Sequence, residues 1–300
     1  MRAHSTGKRI RLTNRDRLWL NAIHQHGPLA SSFLLEYAKT MGASEKRSTE
    51  RLTDLFHEAD TAHGGPYLTR PPQQFHTIDS RYNQLVYDLG PAAEKAGYKR
   101  QTANGPWLHR FMVSSITASI ELAIRDRPDL RIIPQAAILD RADTGLGCEV
   151  QIDDGAGKLK KTRLVPDAIF GIEYLTEQGS RFRFFVVEAD RATEPLKSSL
   201  LGRKSALKSF RQYQRYVGRG VYREHLKLTA PVLVLNVSSD SERTQKMIDL
   251  LGHELPRGCS FQLFQTWDVF APPFRPPEPN SSLLNKAWER LQMPPISINA

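Results

Sequence analysis

The chain has 300 residues, 40% apolar and 25% charged, with a formal net charge of +10. That balance is globular and excludes broad disorder, and no run approaches the ~18 uncharged apolar residues of a membrane span. Two cysteines, Cys148 and Cys259, argue against a disulfide framework or a cysteine-based zinc site and predict a reducing, cytoplasmic setting, and the basic start lacks the apolar run of a secretory signal.

Residues 1–12 read as a basic, mobile arm. Thr13-Asn-Arg-Asp16 opens a helix with a capping residue and an acid in its first turn. Leu18, Trp19, Ala22 and Ile23 form its apolar stripe, and Gly27-Pro28 stops it. Ser31-Ser32 starts a second helix ended by Gly42, and Ser44 a third with Leu52, Leu55, Phe56 and Ala59 at helical spacing. A turn-rich extended stretch and a short helix after Gly90-Pro91 complete residues 13–98.

Three short helices and a hairpin predict a winged helix-turn-helix. Its third helix presents Lys46, Arg47, Thr49, Glu50 and Arg51, and its wing Arg70, His76 and Arg81. Such a set fits a helix in the major groove with the wing on the backbone. A protein-binding winged helix or a plain three-helix core are the alternatives, because Glu45, Glu50 and Asp54 share that helix.

Residues 99–106 are polar and punctuated by Gly and Pro, as a linker is. The second domain, 107–270, opens on a helix over 107–125. Strands are predicted over 130–139, 163–174 and 181–189, with an extra short hairpin strand near 147–153. A long helix over 198–217 follows, then a buried strand over 231–237, a helix over 241–251 and a strand over 260–264. Strands joined through helices imply a mixed α/β sheet with crossovers. The Pro-rich tail 271–300, with one short helix near 283–291, reads as a surface wrap or a docking segment for a protein partner.

Two neighbouring strands carry acids. One reads Leu164-Val-Pro-Asp167, the other Phe184-Phe-Val-Val-Glu188-Ala-Asp190. Glu188 and Asp190 share a face because strand side chains alternate. Three carboxylates at strand ends can chelate Mg²⁺ or Mn²⁺ through oxygen, and such a metal serves phosphodiester chemistry. The alternative is structural: Glu188 and Asp190 paired with Arg163, Arg181 or Arg191, and Asp167 capping a turn.

Pro166-Asp167 and Glu188-Ala-Asp190 resemble the PD-(D/E)xK nuclease superfamily, and the element order over about 105–270 matches that fold. Glu121 on the preceding helix stands where many members carry an extra acid. Gln212-Tyr-Gln-Arg-Tyr216 is similar to the Gln-x-x-x-Tyr element of RecB-like members. The resemblance implies Asp167, Glu188, Asp190 and Glu121 as metal ligands. One departure stands out: Asp190 replaces the usual Lys, and Lys204 or Lys208 on the next helix are the candidates to substitute. With the winged helix in front, the chain resembles the replication-relaxation family of plasmid and mobile-element proteins, whose Glu-x-Asp-Arg-x-Thr-Glu stretch is close to Glu188-Ala-Asp-Arg-Ala-Thr-Glu194. That implies DNA replication or processing, either as a metal-dependent nuclease or as a regulator on a degenerate nuclease fold.

Charge is concentrated where this would need it. Residues 191–227 hold ten Lys or Arg against two acids. Lys204, Lys208, Arg211, Arg215 and Arg219 share one helical face, beside Arg203, Gln212 and Tyr216. The face predicts a ridge that tracks nucleic-acid phosphates; an ordinary solvated face usually mixes signs. DNA is the expected partner and a membrane is not. A homodimer fits the two half-sites that winged helices often read.

Overall fold

The computed structural model describes residues 5–42, 44–58, 64–77, 84–100, 106–153, 157–198, 204–270 and 275–300. The chain forms two compact units. Unit 1 is Met1–Leu122 with Pro272–Ser281, and unit 2 is Ala123–Ala271 with Ser282–Ala300. Among the described residues, no helix is long and apolar enough to cross a membrane.

Unit 1 runs α1 (Asn14–His26), β1 (Leu29–Ala30), α2 (Ser31–Ala38), α3 (Glu45–His57), β2 (Leu68–Thr69), α4 (Gln74–Thr77), β3 (Val86–Leu89), α5 (Pro91–Lys95) and α6 (Trp107–Arg125). Thr13 and Asp16 form a capping box on α1: Asp16 N–H donates to Thr13 Oγ1 at 3.3 Å and Thr13 N–H to the Asp16 carboxylate at 2.7 Å. Ser44 caps α3 as its sequence position predicts. The three strands pair antiparallel in the order β1-β3-β2. Trp19, Leu20, Ile23, Phe33, Leu34, Leu52, Leu55 and Val86 fill the core behind them.

Two expectations change in unit 1. The described part of the basic arm is held: Ile10 is buried, and the Glu58 carboxylate accepts Ser5 Oγ at 2.7 Å, Thr6 Oγ1 at 2.8 Å and the Lys8 amide at 3.2 Å. Helix α6, expected to open the second domain, belongs mostly to unit 1. Its Ser114 Oγ donates to His26 O at 2.7 Å, and its Thr117 and Glu121 bracket the His26 ring at 2.9 and 2.8 Å.

Unit 2 contains β4 (Leu130–Ile133), α7 (Gln135–Ala142), β5 (Cys148–Asp153), β6 (Leu159–Leu164), β7 (Ala168–Thr176), β8 (Gly179–Asp190), α8 (Ala206–Tyr216), α9 (Tyr222–His225), β9 (Val232–Ser238), α10 (Ser241–Glu254), β10 (Gln262–Thr266), α11 (Ser282–Asn285), β11 (Trp288–Arg290) and β12 (Met293–Ile296). Seven strands make one mixed sheet in the order β12-β11-β10-β9-β8-β7-β4, and β5-β6 is a separate hairpin. The sheet is parallel at β8-β9 and β9-β10 and antiparallel elsewhere. Tyr213 and Tyr216 of α8 are buried in one apolar cluster with Val150 and Ile152 of the hairpin and Val186 and Val234 of the sheet.

Proline explains two departures from the predicted elements. The strand expected over 130–139 stops at Ile133, because Pro134 has no N–H to give a ladder and instead leads into α7. The strand expected over 163–174 is broken by Val165-Pro166-Asp167 into β6 and β7. The long helix expected over 198–217 is described only as α8, opened by Ser205, whose Oγ accepts the Lys208 N–H. The tail is no loose wrap: its last residues add β11 and β12 to the main sheet, Trp288 and Ile298 are fully buried, and Tyr174 Oη donates to Ile298 O at 2.7 Å.

Candidate functional site

The break between β6 and β7 places Asp167. Its N–H donates to Val187 O at 3.2 Å, and its carboxylate accepts the Ala189 N–H at 2.9 Å. Val187 and Ala189 flank Glu188, so these backbone bonds hold the Asp167 carboxylate beside Glu188. Glu188 is partly buried on β8. From the other side, Tyr213 Oη of α8 donates to its carboxylate.

The third member is Lys204, just before α8. Its ammonium is 3.6 Å from Glu194 Oε1. Burial alone would lower its pKa, but Asp167, Glu188 and Glu194 outweigh that and raise it, so Lys204 is a fixed positive charge. Burial, reinforced by the Asp167 charge, pushes the Glu188 carboxyl up to about 8 against the pull of Lys204 and Tyr213. Burial, and then the Glu188 charge, push the Tyr213 hydroxyl well up, so it remains a donor.

The other acids expected here go elsewhere. Asp190 is bound by Arg243, with Nη2 at 2.8 Å and Nε at 3.1 Å from Oδ2, while its Oδ1 accepts the Ala192 N–H at 2.5 Å. That turn forces Ala192 to a positive φ of 57°, a conformation rare outside glycine. Asp190 is therefore a structural ion-pair partner, and its partner is neither Arg163, Arg181 nor Arg191. The Glu121 carboxylate is engaged by Gln25 and His26 of unit 1. Among the described residues, no three His, Cys, Asp or Glu are grouped to hold a metal ion.

The expected nucleic-acid residues divide. Gln212 is buried, and its Nε2 donates to Thr162 Oγ1 and Arg163 O at 3.1 Å each, tying α8 to β6. Tyr216 is buried and its hydroxyl meets His225 Nδ1 at 2.7 Å. Both therefore serve the interior of unit 2, which corrects their expected place on an exposed nucleic-acid face. Arg211 pairs with Glu254 at 2.8 Å, and Arg215 Nε donates to Gln151 O at 3.0 Å. Lys208 is partly buried and Arg219 exposed.

In unit 1, Lys46 and Arg47 are exposed on α3. Arg51 is instead bound to the fully buried Asp16 at 2.7 Å, so it holds structure. Arg70 stacks on Phe56, with the guanidinium 4.0 Å from the ring centroid, and donates to Tyr87 Oη at 3.1 Å. Arg81 and Arg203 lie outside the described residues.

A family model for replication-relaxation matches residues 20–232. The chain belongs to the replication-relaxation family. The matched span takes in α1 through the start of β9, and with it Asp167, Glu188, Lys204 and Tyr213. Comparisons with curated proteins and with solved structures found no match.

Three residues at this site were not foreseen. Tyr213 reads in the sequence as one more apolar position on the back of α8, since a tyrosine ring packs like phenylalanine and only its hydroxyl reveals the role. Glu194 closes the stretch that begins at Glu188, so both ends of Glu188-Ala-Asp-Arg-Ala-Thr-Glu194 act on Lys204, while the middle acid turns to Arg243. Arg191, in the same stretch, has a buried Nε with no hydrogen-bond partner among the described residues, and burial lowers its pKa.

Proposed function

We propose that this protein acts on DNA in plasmid or mobile-element replication, with unit 1 as a winged helix on duplex DNA and unit 2 as a PD-(D/E)xK-type phosphodiesterase. The three helices α1–α3 with the small antiparallel sheet β1-β3-β2, and the exposed Lys46 and Arg47 on α3, support the first part. The observation that carries the second is the Asp167 carboxylate clamped beside Glu188, with Lys204 close enough to both to be charged by them. Lys204 then stands in for the lysine that Asp190 displaces.

The donor set fits Mg²⁺ or Mn²⁺. Mg²⁺ is usually held by one or two carboxylates plus substrate phosphates and keeps several waters, so Asp167 and Glu188 suffice without a third acid. When bound, such a cation supplies Lewis-acid charge to the phosphodiester and lowers the pKa of water. The chain's own residues do the rest. Backbone amides fix Asp167, Tyr213 fixes one oxygen of Glu188, and Lys204 places a positive charge where the attacked phosphate gains negative charge. Arg191, unpaired among the described residues, is a cation that a bound phosphate would satisfy.

A regulator without cleavage is the second reading, and one observation favours it. A Glu188 carboxyl pushed up to about 8 is largely protonated at neutral pH, and a protonated carboxyl is a poor cation ligand. Incubation of supercoiled plasmid with Mg²⁺ or Mn²⁺ separates the two. Nicking by the wild type that is lost in both Glu188→Ala and Lys204→Ala establishes the nuclease. DNA binding with no nicking in either metal establishes the regulator.

A further inference from the structure

Helix α3 carries a stripe of four charged residues along one flank. Arg47, Arg51, Asp54 and Glu58 follow at spacings of four, three and four, which puts them on one side of the helix and its C-terminal cap. Three of the four hold the N-terminal arm. Glu58, fully buried, accepts from Ser5, Thr6 and Lys8. Asp54 pairs with Lys8 Nζ at 2.7 Å. Arg51 Nη2 donates to Arg11 O at 2.8 Å while binding Asp16. The contacts run from Glu58 back to Arg51 as the arm runs from Ser5 to Arg11, so the arm lies antiparallel to α3.

The consequence is a cluster of exposed cations where arm, α1 and α3 meet, with Glu45 and Glu50 the exposed acids on α3. Arg9 and Arg11 on the arm and Arg17 on α1 are exposed, as are Lys46 and Arg47 on α3. Among the described residues, none of these five is in an ion pair. Asp54 and Glu58 are engaged in holding the arm, and Asp16 in holding Arg51. Arg47 stands one helical turn before Arg51, whose guanidinium holds the Arg11 carbonyl, so the free cations of arm and helix adjoin. Ordering the arm from Ser5 to Arg11 costs conformational entropy, and the buried Glu58 with its several donors supplies the interaction that offsets it.

We propose that the N-terminal arm is a second phosphate-contacting element of unit 1, built against α3, with Arg9, Arg11 and Arg17 touching the duplex backbone and Glu58 and Arg51 as positioning residues. The partner is duplex DNA, recognised through its phosphates and without base reading. This rests on the DNA-binding reading of unit 1, and the experiment separates the two.

The test is fluorescence anisotropy of the full chain on a labelled duplex of mixed sequence, across a KCl series. Variants are the triple Arg9→Ala/Arg11→Ala/Arg17→Ala, the double Lys46→Ala/Arg47→Ala, and Glu58→Gln. Each phosphate contact contributes about 0.9 to the slope of log K against log salt, so the triple variant is expected to bind more weakly with a slope shallower by about 2.7. Glu58→Gln keeps every arginine but loosens the arm. Its slope is expected to fall too, with faster tryptic cleavage after Lys8 or Arg9. A triple variant with the wild-type slope, while the Lys46/Arg47 double loses affinity, overturns the arm proposal and leaves DNA binding by α3 standing. A wild type with no salt-dependent binding to the duplex overturns both.

Discussion

Tyr213 donates its phenolic hydrogen to Glu188 from the residue next to Gln212, whose amide ties the same helix to β6. Two consecutive residues of α8 thus fasten it to the hairpin and to the carboxylate, and the helix cannot shift on one without moving on the other. Tyr213→Phe keeps the buried ring and deletes the donor. The Tyr213 hydrogen bond lowers the Glu188 pKa, so its loss is expected to move that titration further up and to cost about 1–2 kcal/mol of stability. If unit 2 cuts DNA, the rising limb of its pH–rate profile moves to higher pH in the variant. An unmoved profile would show that Tyr213 only packs.

Lys204 and Lys208 are equal candidates in the sequence, and the structure ties Lys204 to three acids. Asp167, Glu188 and Glu194 raise its pKa, and Glu194 lies 3.6 Å from its ammonium. Lys204→Met removes the positive charge that faces Asp167, Glu188 and Glu194, so the variant is expected to melt lower than the wild type and to recover more on addition of Mg²⁺. Lys208→Met is expected to change neither. Thermal unfolding with and without about 1 mM Mg²⁺, roughly a thousandfold over a micromolar Kd, reads both. Equal melting of the two variants would remove Lys204 from the site.

The carboxylates also set a pH dependence. The unfolded chain holds Glu188 at its ordinary value of 4.5, and the folded one at about 8. The folded state therefore binds more protons between those values, and its stability falls as pH rises through that window. Glu188→Gln keeps the shape and cannot ionise. It is expected to be the more stable protein at pH 8.5, by at least about 1 kcal/mol, the equivalent of a single pKa unit, and the less pH-sensitive one between pH 5 and 8.5. Urea unfolding at the two pH values checks it. A variant less stable than the wild type at pH 8.5 would show that the charged form of Glu188 is the satisfied one.

What the sequence could reveal depended on whether a residue's role was local. Caps at Thr13 and Ser44, the stop at Gly27-Pro28 and the apolar strand β9 are set by neighbours in the chain, and each is where patterning predicts it. Pro166-Asp167 and Glu188 are legible because a proline break and an acid within an apolar strand are anomalies that local preference does not explain. Long-range pairings leave no such trace. Nothing near Asp190 predicts Arg243, 53 positions away, and nothing near Arg11 predicts Arg51. A stripe of cations on α8 looks like a ridge until Glu254 and the hairpin carbonyls claim two of its members. The tail misleads for a related reason: proline depletes its strand signal, yet β12, which holds Pro294 and Pro295, is the edge strand of the sheet, where a missing N–H is tolerated.

The Asp190–Arg243 pair makes a prediction that distinguishes a ligand from a brace. Both side chains are mostly buried, and the guanidinium meets one carboxylate oxygen with two donors. Asp190→Asn leaves Arg243 without its counter-charge and is expected to cost about 2–4 kcal/mol. Calorimetric Mn²⁺ uptake, measured below the melting range, is expected to survive in Asp190→Asn and to vanish in Asp167→Asn. Loss in both would return Asp190 to the metal shell.

The carboxyl-terminal strands supply the last prediction, because they are the part of unit 2 that composition argues against. Trp288 and Ile298 are fully buried, Trp288 Nε1 donates to Leu283 O at 3.0 Å, and the Ile298 carbonyl satisfies the Tyr174 hydroxyl. Burial holds that hydroxyl up at about 12, so it remains a donor at any working pH. A chain ending after Ser281 would remove the pairing of β11 with β10 at Phe264 and leave the Tyr174 hydroxyl unmatched. Truncation is expected to give insoluble or molten protein, whereas Tyr174→Phe, which removes only the hydroxyl, is expected to cost about 1 kcal/mol. Near-ultraviolet circular dichroism and the melting midpoint read the two cases. A truncated chain that keeps the wild-type midpoint would make the tail an appendage after all, free to serve as the docking segment its prolines suggest.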